Sequence, residues 1–255
     1  MFGLRQALAA SLVCLGLVAP ASAGSEAPRR IASVVELFTS QGCNSCPPAD
    51  AVLAELGGTR PDLLALAFHV DYWDYLGWHD SFATPDHTQR QKSYAQAFGK
   101  RMVYTPQLVI NGRVQMNGAK RDKILRALKE MSNAGAGLSV VLGVEASPEG
   151  ATVVVPGAEE NATTMPRARL LLVLFKAPAD LPIRGGENEG HTILYWNPVT
   201  EVREIARWDG TPARVSVSWM GIDAKQGAAA LLQETDSKGM PRAVLGAAVL
   251  REPAR

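Results

Sequence analysis

The sequence has few cysteines: only three occur among its 255 residues, at positions 14, 43 and 46. It also lacks an excess of either charge, because 26 basic and 25 acidic side chains leave a formal net charge of +1. Well-mixed charges without a basic stripe argue against a nucleic-acid partner. After the first 23 residues, even the most apolar run, Leu170–Phe175, has only the length of a strand. We therefore expect no nucleic-acid partner and no membrane span in the mature chain.

The first 23 residues have the three parts of a cleavable signal peptide. Arg5 supplies a positive charge, residues 7–18 form a largely apolar run, and residues 21–23 are a small-x-small cleavage signal. We expect cleavage after Ala23, which removes Cys14 and leaves two cysteines. The mature protein is then predicted to be periplasmic or secreted, in an oxidising compartment where disulfides form and persist.

The composition of the chain changes at residues 133–137, Asn-Ala-Gly-Ala-Gly. This small, flexible stretch follows a helical pattern and precedes a series of strand-like segments. About 230 mature residues are more typical of two domains than of one. We predict a first domain at residues 24–134, with a helical insertion, and a β-rich C-terminal domain at residues 138–255.

The first domain begins with a predicted strand, helix and strand. Residues 31–38 and 63–70 are apolar or β-branched, and Pro47 and Pro48 fit the first turn of the helix between them. Such a unit is parallel, with a right-handed crossover. A helix over residues 86–98, a hairpin and a final amphipathic helix over residues 120–131 are predicted to follow.

The second domain is predicted to contain seven strands and no catalytic constellation. Such strands predict an antiparallel β-sandwich. The turn at residues 185–190 is rich in glycine but lacks the strand-to-helix context of a phosphate loop, so we predict no nucleotide site there. The predicted strands are residues 138–144, 152–155, 168–176, 191–195, 199–205, 213–217 and 243–250.

The order of predicted elements in residues 31–131 resembles the thioredoxin fold. The resemblance includes the two cysteines at the first strand-to-helix turn and Thr105-Pro106 before the hairpin. The resemblance implies a cis bond before Pro106, with Thr105 and Pro106 lining a substrate groove beside the dithiol. The segments ELFTSQGCNSCPPAD, HVDYWDYLGW and VYTPQLVING resemble DUF1223, a family of exported thioredoxin-like bacterial proteins of unknown function. The predicted fold class is an α/β thioredoxin-like N-terminal domain followed by an all-β, sandwich-like C-terminal domain.

The Cys43-Asn44-Ser45-Cys46 motif predicts an exported thiol-disulfide oxidoreductase-like protein. We expect Cys43 to be the exposed nucleophile at the helix start and Cys46 to be the resolving thiol, with a protein or small-molecule thiol or disulfide as substrate. A structural disulfide is one alternative, although closing about four residues constrains the unfolded chain by only about 2 kcal/mol. A zinc site is another, but it usually needs a second close pair of ligands. We therefore expect no metal and no cofactor.

Glu36 is a candidate proton relay, because thioredoxins often keep a buried acid beneath the dithiol. It lies seven positions before Cys43, one more than the usual spacing, so it fits only if the turn is longer or bulged. The alternative is a glutamate at the end of a strand that is hydrogen-bonded locally.

Residues 69–80 are unusually dense in histidine, aspartate and aromatic side chains. One interpretation is a platform for a metal or a substrate, and the other is an insertion that packs on the sheet. The first supports an alternative function, a non-enzymatic binding module of the cell envelope that uses the aromatic insertion. A metal carrier using the two cysteines and a histidine is a third hypothesis. His87, in the first turn of its helix, is expected to be solvated.

Overall fold

The structure, a computed structural model, describes residues 30–158 and 167–253. The predicted signal peptide lies outside the described residues. The first half contains β1 (Ser33–Thr39), α1 (Pro47–Thr59), β2 (Leu63–His69), a 3-10 turn (Asp74–Leu76), α2 (Pro85–Ala97), β3 (Gln107–Ile110), β4 (Val114–Asn117) and α3 (Arg121–Asn133). The second half contains β5 (Gly143–Ser147), β6 (Gly150–Val155), β7 (Ala168–Phe175), β8 (Ala179–Pro182), β9 (Thr192–Tyr195), β10 (Val199–Trp208), β11 (Ala213–Ser218), β12 (Gly227–Thr235) and β13 (Pro241–Arg251).

The first sheet has the strand order β2-β1-β3-β4. Strands β1 and β2 are parallel and are joined through α1, as predicted, whereas β3 is antiparallel to β1 and β4. Asn111 and Gly112 make the β3–β4 turn with φ angles of 49° and 63°, a backbone conformation that favours these two residue types. The Thr105-Pro106 peptide bond before β3 is cis.

Strand β1 separates two apolar layers because its side chains alternate between the faces of the sheet. Val35 and Leu37 pack with buried residues of α1 and α3 on one face. Val34 and Phe38 pack on the other face with residues of the second half of the chain, including Val173 of β7. The two halves therefore share one core.

The second sheet has the order β10-β7-β12-β13, and all its neighbouring strands are antiparallel. Strands β7 and β12 are apolar on both faces because each face is covered. Leu171 and Val173 face the first sheet, whereas Leu170 and Leu172 face the three-stranded sheet β11-β6-β5. A fourth sheet consists of β8 and β9.

The predicted fold class, an α/β thioredoxin-like N-terminal domain followed by a sandwich-like β domain, is wrong. The described residues are mostly β: they form four sheets and three short α-helices, and 19% of them are helical and 40% are in strands. The physical reason is that a second sheet, rather than a further helical layer, covers most of the inner face of β1 and β2. Among the described residues, Tyr94 of α2 is the helical member of the buried apolar cluster in that layer.

None of the helices formed by the described residues has both the length and the apolar character that a membrane crossing requires.

Candidate functional site

A disulfide joins Cys43 and Cys46 at the start of α1, with their Cα atoms 5.4 Å apart. Cys46 is the N-cap residue, and Pro47 and Pro48 follow in the first turn, where their missing amide hydrogens have no intrahelical partner. Asn44 and Ser45 are exposed between the cysteines. The prediction that Cys43 is the exposed sulfur is wrong, because Cys43 is 1% exposed and Cys46 is fully buried.

Two hydroxyl groups lie against the sulfur of Cys43. Thr105 Oγ1 donates to Cys43 Sγ across 3.3 Å, and Ser45 Oγ lies 3.4 Å from the same sulfur. The indole Nε1 of Trp73 in turn donates to Thr105 Oγ1 across 2.8 Å. Hydrogen bonds that donate to sulfur favour its thiolate form, and linked donors strengthen one another. The cis Thr105-Pro106 element is thus brought together with Cys43, as the resemblance implied.

The backbone just before Cys43 is held by side chains from two distant segments. Trp78 Nε1 donates to Gln41 Oε1 across 2.7 Å, and Gln41 N donates to Asp80 Oδ2 across 2.8 Å. From the second half of the chain, Asn188 Nδ2 donates to the carbonyl oxygens of Gln41 and Cys43, at 2.8 and 3.0 Å. The disulfide loop therefore contacts both the insertion at residues 69–80 and the turn between β8 and β9.

Asp50 lies one helical turn beyond Cys46, and its backbone N donates to the carbonyl oxygen of Cys46 across 3.1 Å. Residues four apart share one face of a helix. The Asp50 side chain is buried, with Oδ2 accepting from Thr39 Oγ1 at 3.1 Å. Burial raises the pKa of Asp50 from 3.8 to about 7, against the lowering influence of His69 and Thr39. Asp50 is therefore a buried carboxyl that can hold a proton near neutral pH.

A histidine–aspartate pair adjoins Asp50 under the disulfide loop. His69 Nδ1 lies 2.8 Å from Asp80 Oδ2, and both side chains are fully buried. Burial acts to raise the pKa of Asp80, but His69 and the amide hydrogens of Gln41 and Phe82 together hold it below its usual range. The ring of Tyr195 packs edge-on against His69, with centroids 4.7 Å apart.

Three buried polar atoms in this region have no hydrogen-bond partner within the described part of the protein: Asp50 Oδ1, His69 Nε2 and Tyr195 Oη. Burial, followed by the charges of Asp50 and Asp80, raises the pKa of Tyr195. Buried polar groups of native proteins are usually satisfied by protein atoms or ordered water. The free oxygen of this buried carboxyl and the two other unpartnered atoms mark a polar region suited to holding and passing a proton.

Glu36, the predicted relay, lies in a different network. Arg90 Nε donates to Glu36 Oε2 across 2.6 Å, and Tyr94 Oη donates to Glu36 Oε1 across 2.5 Å. Gln233 of β12 completes the network, since its Oε1 accepts from Arg90 and its Nε2 donates to Tyr94 Oη. Both carboxylate oxygens of Glu36 are thus occupied by partners that join β1, α2 and β12.

The insertion at residues 69–80 packs on the disulfide loop through Trp73 and Trp78. Its other histidine, His79, pairs with Asp74 at 2.7 Å near the surface. Across residues 30–158 and 167–253, no three His, Cys, Asp or Glu side chains are placed to hold a metal ion. The prediction that His87 is solvated is wrong: it is 2% exposed, and its Nδ1 donates to the carbonyl oxygen of His69 across 3.0 Å.

Sequence reasoning missed Asp50, Tyr195 and Asn188. Asp50 carried a usable signal, since an acidic residue four positions after Cys46 shares the helix face of that cysteine. Tyr195 and Asn188 carried none, because they approach the disulfide loop only through the packing of the second half of the chain.

Two cavities lie away from the disulfide. One, of about 330 Å³, lies between α2 and the second sheet and includes Arg90 and Gln233 in its lining. The other, of about 790 Å³, includes Trp196 and Phe175. Neither of these two cavities is lined by a cysteine.

The family model DUF1223, described as a protein of unknown function, matches residues 34–233 of the chain. Protein AGR_C_4864 from Agrobacterium tumefaciens, known from a crystal structure, is 33% identical with a TM-score of 0.78 over 90% of this chain and 98% of that chain. HBP35 of Porphyromonas gingivalis is 14% identical with a TM-score of 0.54, over 90% of this chain and 79% of that chain, a likeness of fold alone. Among curated proteins, none matches the chain.

Proposed function

We propose that this protein is an exported thiol-disulfide oxidoreductase. The chain belongs to the DUF1223 family, whose function is unknown. The observation that carries the proposal is one arrangement at the start of α1. A disulfide closes there on the helix N-cap, Thr105 donates to Cys43 Sγ, and the Asp50 carboxyl lies one turn beyond Cys46. The export and the oxidising compartment rest on the predicted signal peptide and on the persistence of disulfides there.

The proposed exchange begins when a substrate thiolate attacks Cys43 Sγ. A bond forms between the two sulfurs, the Cys43–Cys46 bond breaks, and Cys46 leaves with the electron pair as a thiolate. Protonated Asp50 then gives its proton to Cys46, directly or through water, and becomes a carboxylate. A second substrate thiolate attacks the substrate sulfur of the mixed disulfide; the new bond joins the two substrate sulfurs, the bond to Cys43 breaks, and Cys43 is released as a thiolate beside Thr105.

The reverse direction uses the same groups. The Asp50 carboxylate removes the proton from the Cys46 thiol as that sulfur attacks a mixed disulfide on Cys43, and the substrate leaves reduced. A group that holds a proton near pH 7 suits both directions, because general acids and bases act best when their pKa is near the working pH.

A trapping experiment tests the exchange. The Cys46→Ser variant cannot resolve a mixed disulfide, so we expect it to accumulate dithiothreitol-sensitive adducts through Cys43 when it is expressed with its leader. The matched control is Cys43→Ser, which keeps one cysteine but loses the sulfur beside Thr105 and should trap far less. Equal, negligible trapping by both variants, in cells where a known oxidoreductase traps its substrates, would contradict the proposal.

Asp50→Asn tests the proton step. Asparagine keeps the shape of the side chain but cannot supply the proton, and acid-base groups typically contribute about 100-fold or more to a rate. The disulfide is reduced with dithiothreitol, and each rate constant is divided by the thiolate fraction of the reagent to remove the reagent's own pH dependence. In the natural protein this corrected rate constant should fall above pH 7, where Asp50 loses its proton. In Asp50→Asn it should be at least about 10-fold lower at pH 6 and independent of pH. Identical profiles would remove Asp50 from the mechanism.

A non-enzymatic binding module is the second candidate, and it is favoured by one exposed aromatic side chain near the site. Tyr75 is 77% exposed, and its ring stacks with centroids 6.5 Å apart on Trp73, which donates to Thr105. An exposed aromatic ring suits contact with a partner. This candidate predicts that Tyr75→Ala abolishes the biological role while the double Cys→Ser variant retains it. The oxidoreductase proposal predicts the reverse.

A further inference from the structure

The turn at residues 185–190, here called the clasp turn, holds the disulfide loop from the second half of the chain. Its Asn188 lies 145 positions after Cys43, yet its side-chain amide donates to the carbonyl oxygens of both Gln41 and Cys43. The two bonds measure 2.8 and 3.0 Å, and Asn188 is 4% exposed. An asparagine amide has two hydrogens to donate, and both are directed at this loop.

Asn188 is itself fixed in place. Its carbonyl oxygen accepts from the backbone N and from Nδ1 of His191, at 3.1 and 3.2 Å. Gly186 has a φ of 74° and lies so close to Trp78 that an added Cβ would be 3.0 Å from the Trp78 Cβ. The clasp turn therefore rests on the insertion, and Trp78 also donates to Gln41. Because Asn188 is fixed by these contacts, its side-chain amide restrains the disulfide loop and does not move with it.

Cys43 cannot be attacked in the closed loop. A thiolate must reach Cys43 Sγ, but Cys43 is 1% exposed. The carbonyl group that Asn188 holds belongs to Cys43 itself, so an outward movement of this residue must break the Asn188 bond. We infer that Asn188 is a positioning residue that keeps Cys43 in a closed loop and thereby controls how fast the disulfide becomes accessible to a thiol. This inference deepens the proposed function and rests on it.

The expected effect follows from two ordinary hydrogen bonds. Their combined net contribution corresponds to about a tenfold change in the population of an open loop. Because the Asn188 bonds affect only how often the disulfide loop opens, their loss should accelerate reduction and reoxidation alike. The reduction potential should stay unchanged.

Asn188→Ala and Asn197→Gly form a matched pair. Asn197 Nδ2 also links the two halves, by donating to the carbonyl oxygen of Ala65 across 3.1 Å, but that carbonyl belongs to β2 and not to the disulfide loop. Glycine is the suitable replacement at Asn197 because its φ is 44°. Asn188→Ser is a second, milder variant for the case in which Asn188→Ala does not fold.

The experiment measures the rate of disulfide reduction by dithiothreitol, whose two thiols supply both electrons and become a cyclic disulfide. Asn188→Ala should react about tenfold faster than the natural protein, Asn188→Ser should be intermediate, and Asn197→Gly should be unchanged. Unchanged rates in both Asn188 variants, or equal acceleration by Asn197→Gly, would overturn the inference. A shift of the potential without a rate change would also do so.

The result separates the inference from the proposed function. Faster disulfide reduction in Asn188→Ala, with no trapping by Cys46→Ser, would support the role of Asn188 and reject the oxidoreductase proposal. Trapping by Cys46→Ser with unchanged Asn188 rates would do the opposite.

Discussion

Two buried carboxylic acids, Glu36 and Asp50, have opposite environments although both are in the first half of the chain. The Glu36 cluster comprises Glu36, Arg90, Tyr94 and Gln233, and its acid pairs with a buried arginine. The Asp50 cluster comprises Thr39, Asp50, His69, Asp80 and Tyr195, and three of its buried polar atoms have no partner within the described residues.

The difference indicates which acid supports structure and which is suited to chemistry. In the Glu36 cluster a counter-charge and several hydrogen bonds fix the carboxylate, and Gln233 ties it to the second half of the chain. In the Asp50 cluster burial without a directly bonded cation raises the pKa to about 7, next to the helix turn that carries Cys46. A saturated cluster resists change, whereas an unsaturated one can gain and lose a proton.

The largest expected effect comes from breaking the Glu36 cluster. Glu36→Gln leaves the Arg90 guanidinium buried without a counter-charge, which should lower the free energy of unfolding by about 3–5 kcal/mol. Urea unfolding measures this. The matched control is Glu55→Gln, which removes an exposed ion pair with Arg121 and should change the free energy of unfolding far less, because solvent screens exposed pairs.

The same variant separates structure from redox chemistry. If Glu36 serves only to hold the fold, the dithiothreitol reduction rate of folded Glu36→Gln stays within about twofold of the natural value, because general acid-base groups have far larger effects. A rate loss comparable to that of Asp50→Asn would restore Glu36 as the relay.

The next effect is the pH dependence of stability that Asp50 causes. Its pKa rises from 3.8 in the unfolded chain to about 7 in the folded protein. The folded state therefore keeps a proton that the unfolded chain has lost, and this contribution to stability is full below pH 4 and disappears as the pH rises through 7. The loss amounts to about 4 kcal/mol. Asp50→Asn should abolish it in urea unfolding measured from pH 4 to 8.

His87 produces the opposite slope and must be removed to see that of Asp50 clearly. Burial lowers the pKa of His87 from 6.5 to about 4. Its contribution to stability is therefore present above pH 6.5 and lost as the pH falls through 4. The pH dependence of the free energy of unfolding is therefore compared between His87→Gln and the double variant His87→Gln/Asp50→Asn. The two slopes should differ. Equal slopes would mean that Asp50 titrates normally.

The smallest effect distinguishes two buried tyrosine hydroxyl groups. Tyr94→Phe removes a hydroxyl that bonds Glu36, Arg90 and Gln233, and should cost about 2 kcal/mol of unfolding free energy. Tyr195→Phe removes a hydroxyl without a partner among the described residues, and should change stability by less than about 1 kcal/mol. A larger cost for Tyr195→Phe would show that the two clusters are equally saturated.

Local structure was largely predictable from the sequence. The prolines after Cys46 start α1, and Asn111-Gly112 makes the β3–β4 turn. These features depend on a few neighbouring residues, whereas the cis bond before Pro106 was implied only by the resemblance to the thioredoxin fold. The contact between Asn188 and Cys43 and the second layer over β1 were not predictable in the same way, because both involve residues more than 130 positions apart.

The candidate site was only partly predictable for the same reason. Cys43, Cys46 and Thr105 meet as predicted, but the buried acid on the helix turn after Cys46 is Asp50, whereas Glu36 is buried in a separate cluster with Arg90. The apolar residues around Glu36 predicted a buried strand but not that Arg90 would reach this carboxylate from α2. A partner from another element decides whether a buried acid is paired or able to titrate.

The reduction potential of the Cys43–Cys46 disulfide distinguishes an exchange protein from one that has a structural bridge. It is measured by equilibrating the protein in glutathione or dithiothreitol buffers and quantifying the free thiols. An oxidoreductase should give a value between about −120 and −270 mV, the range of known exchange proteins. A value below about −300 mV would identify a structural disulfide and rule out exchange chemistry as the role of these cysteines.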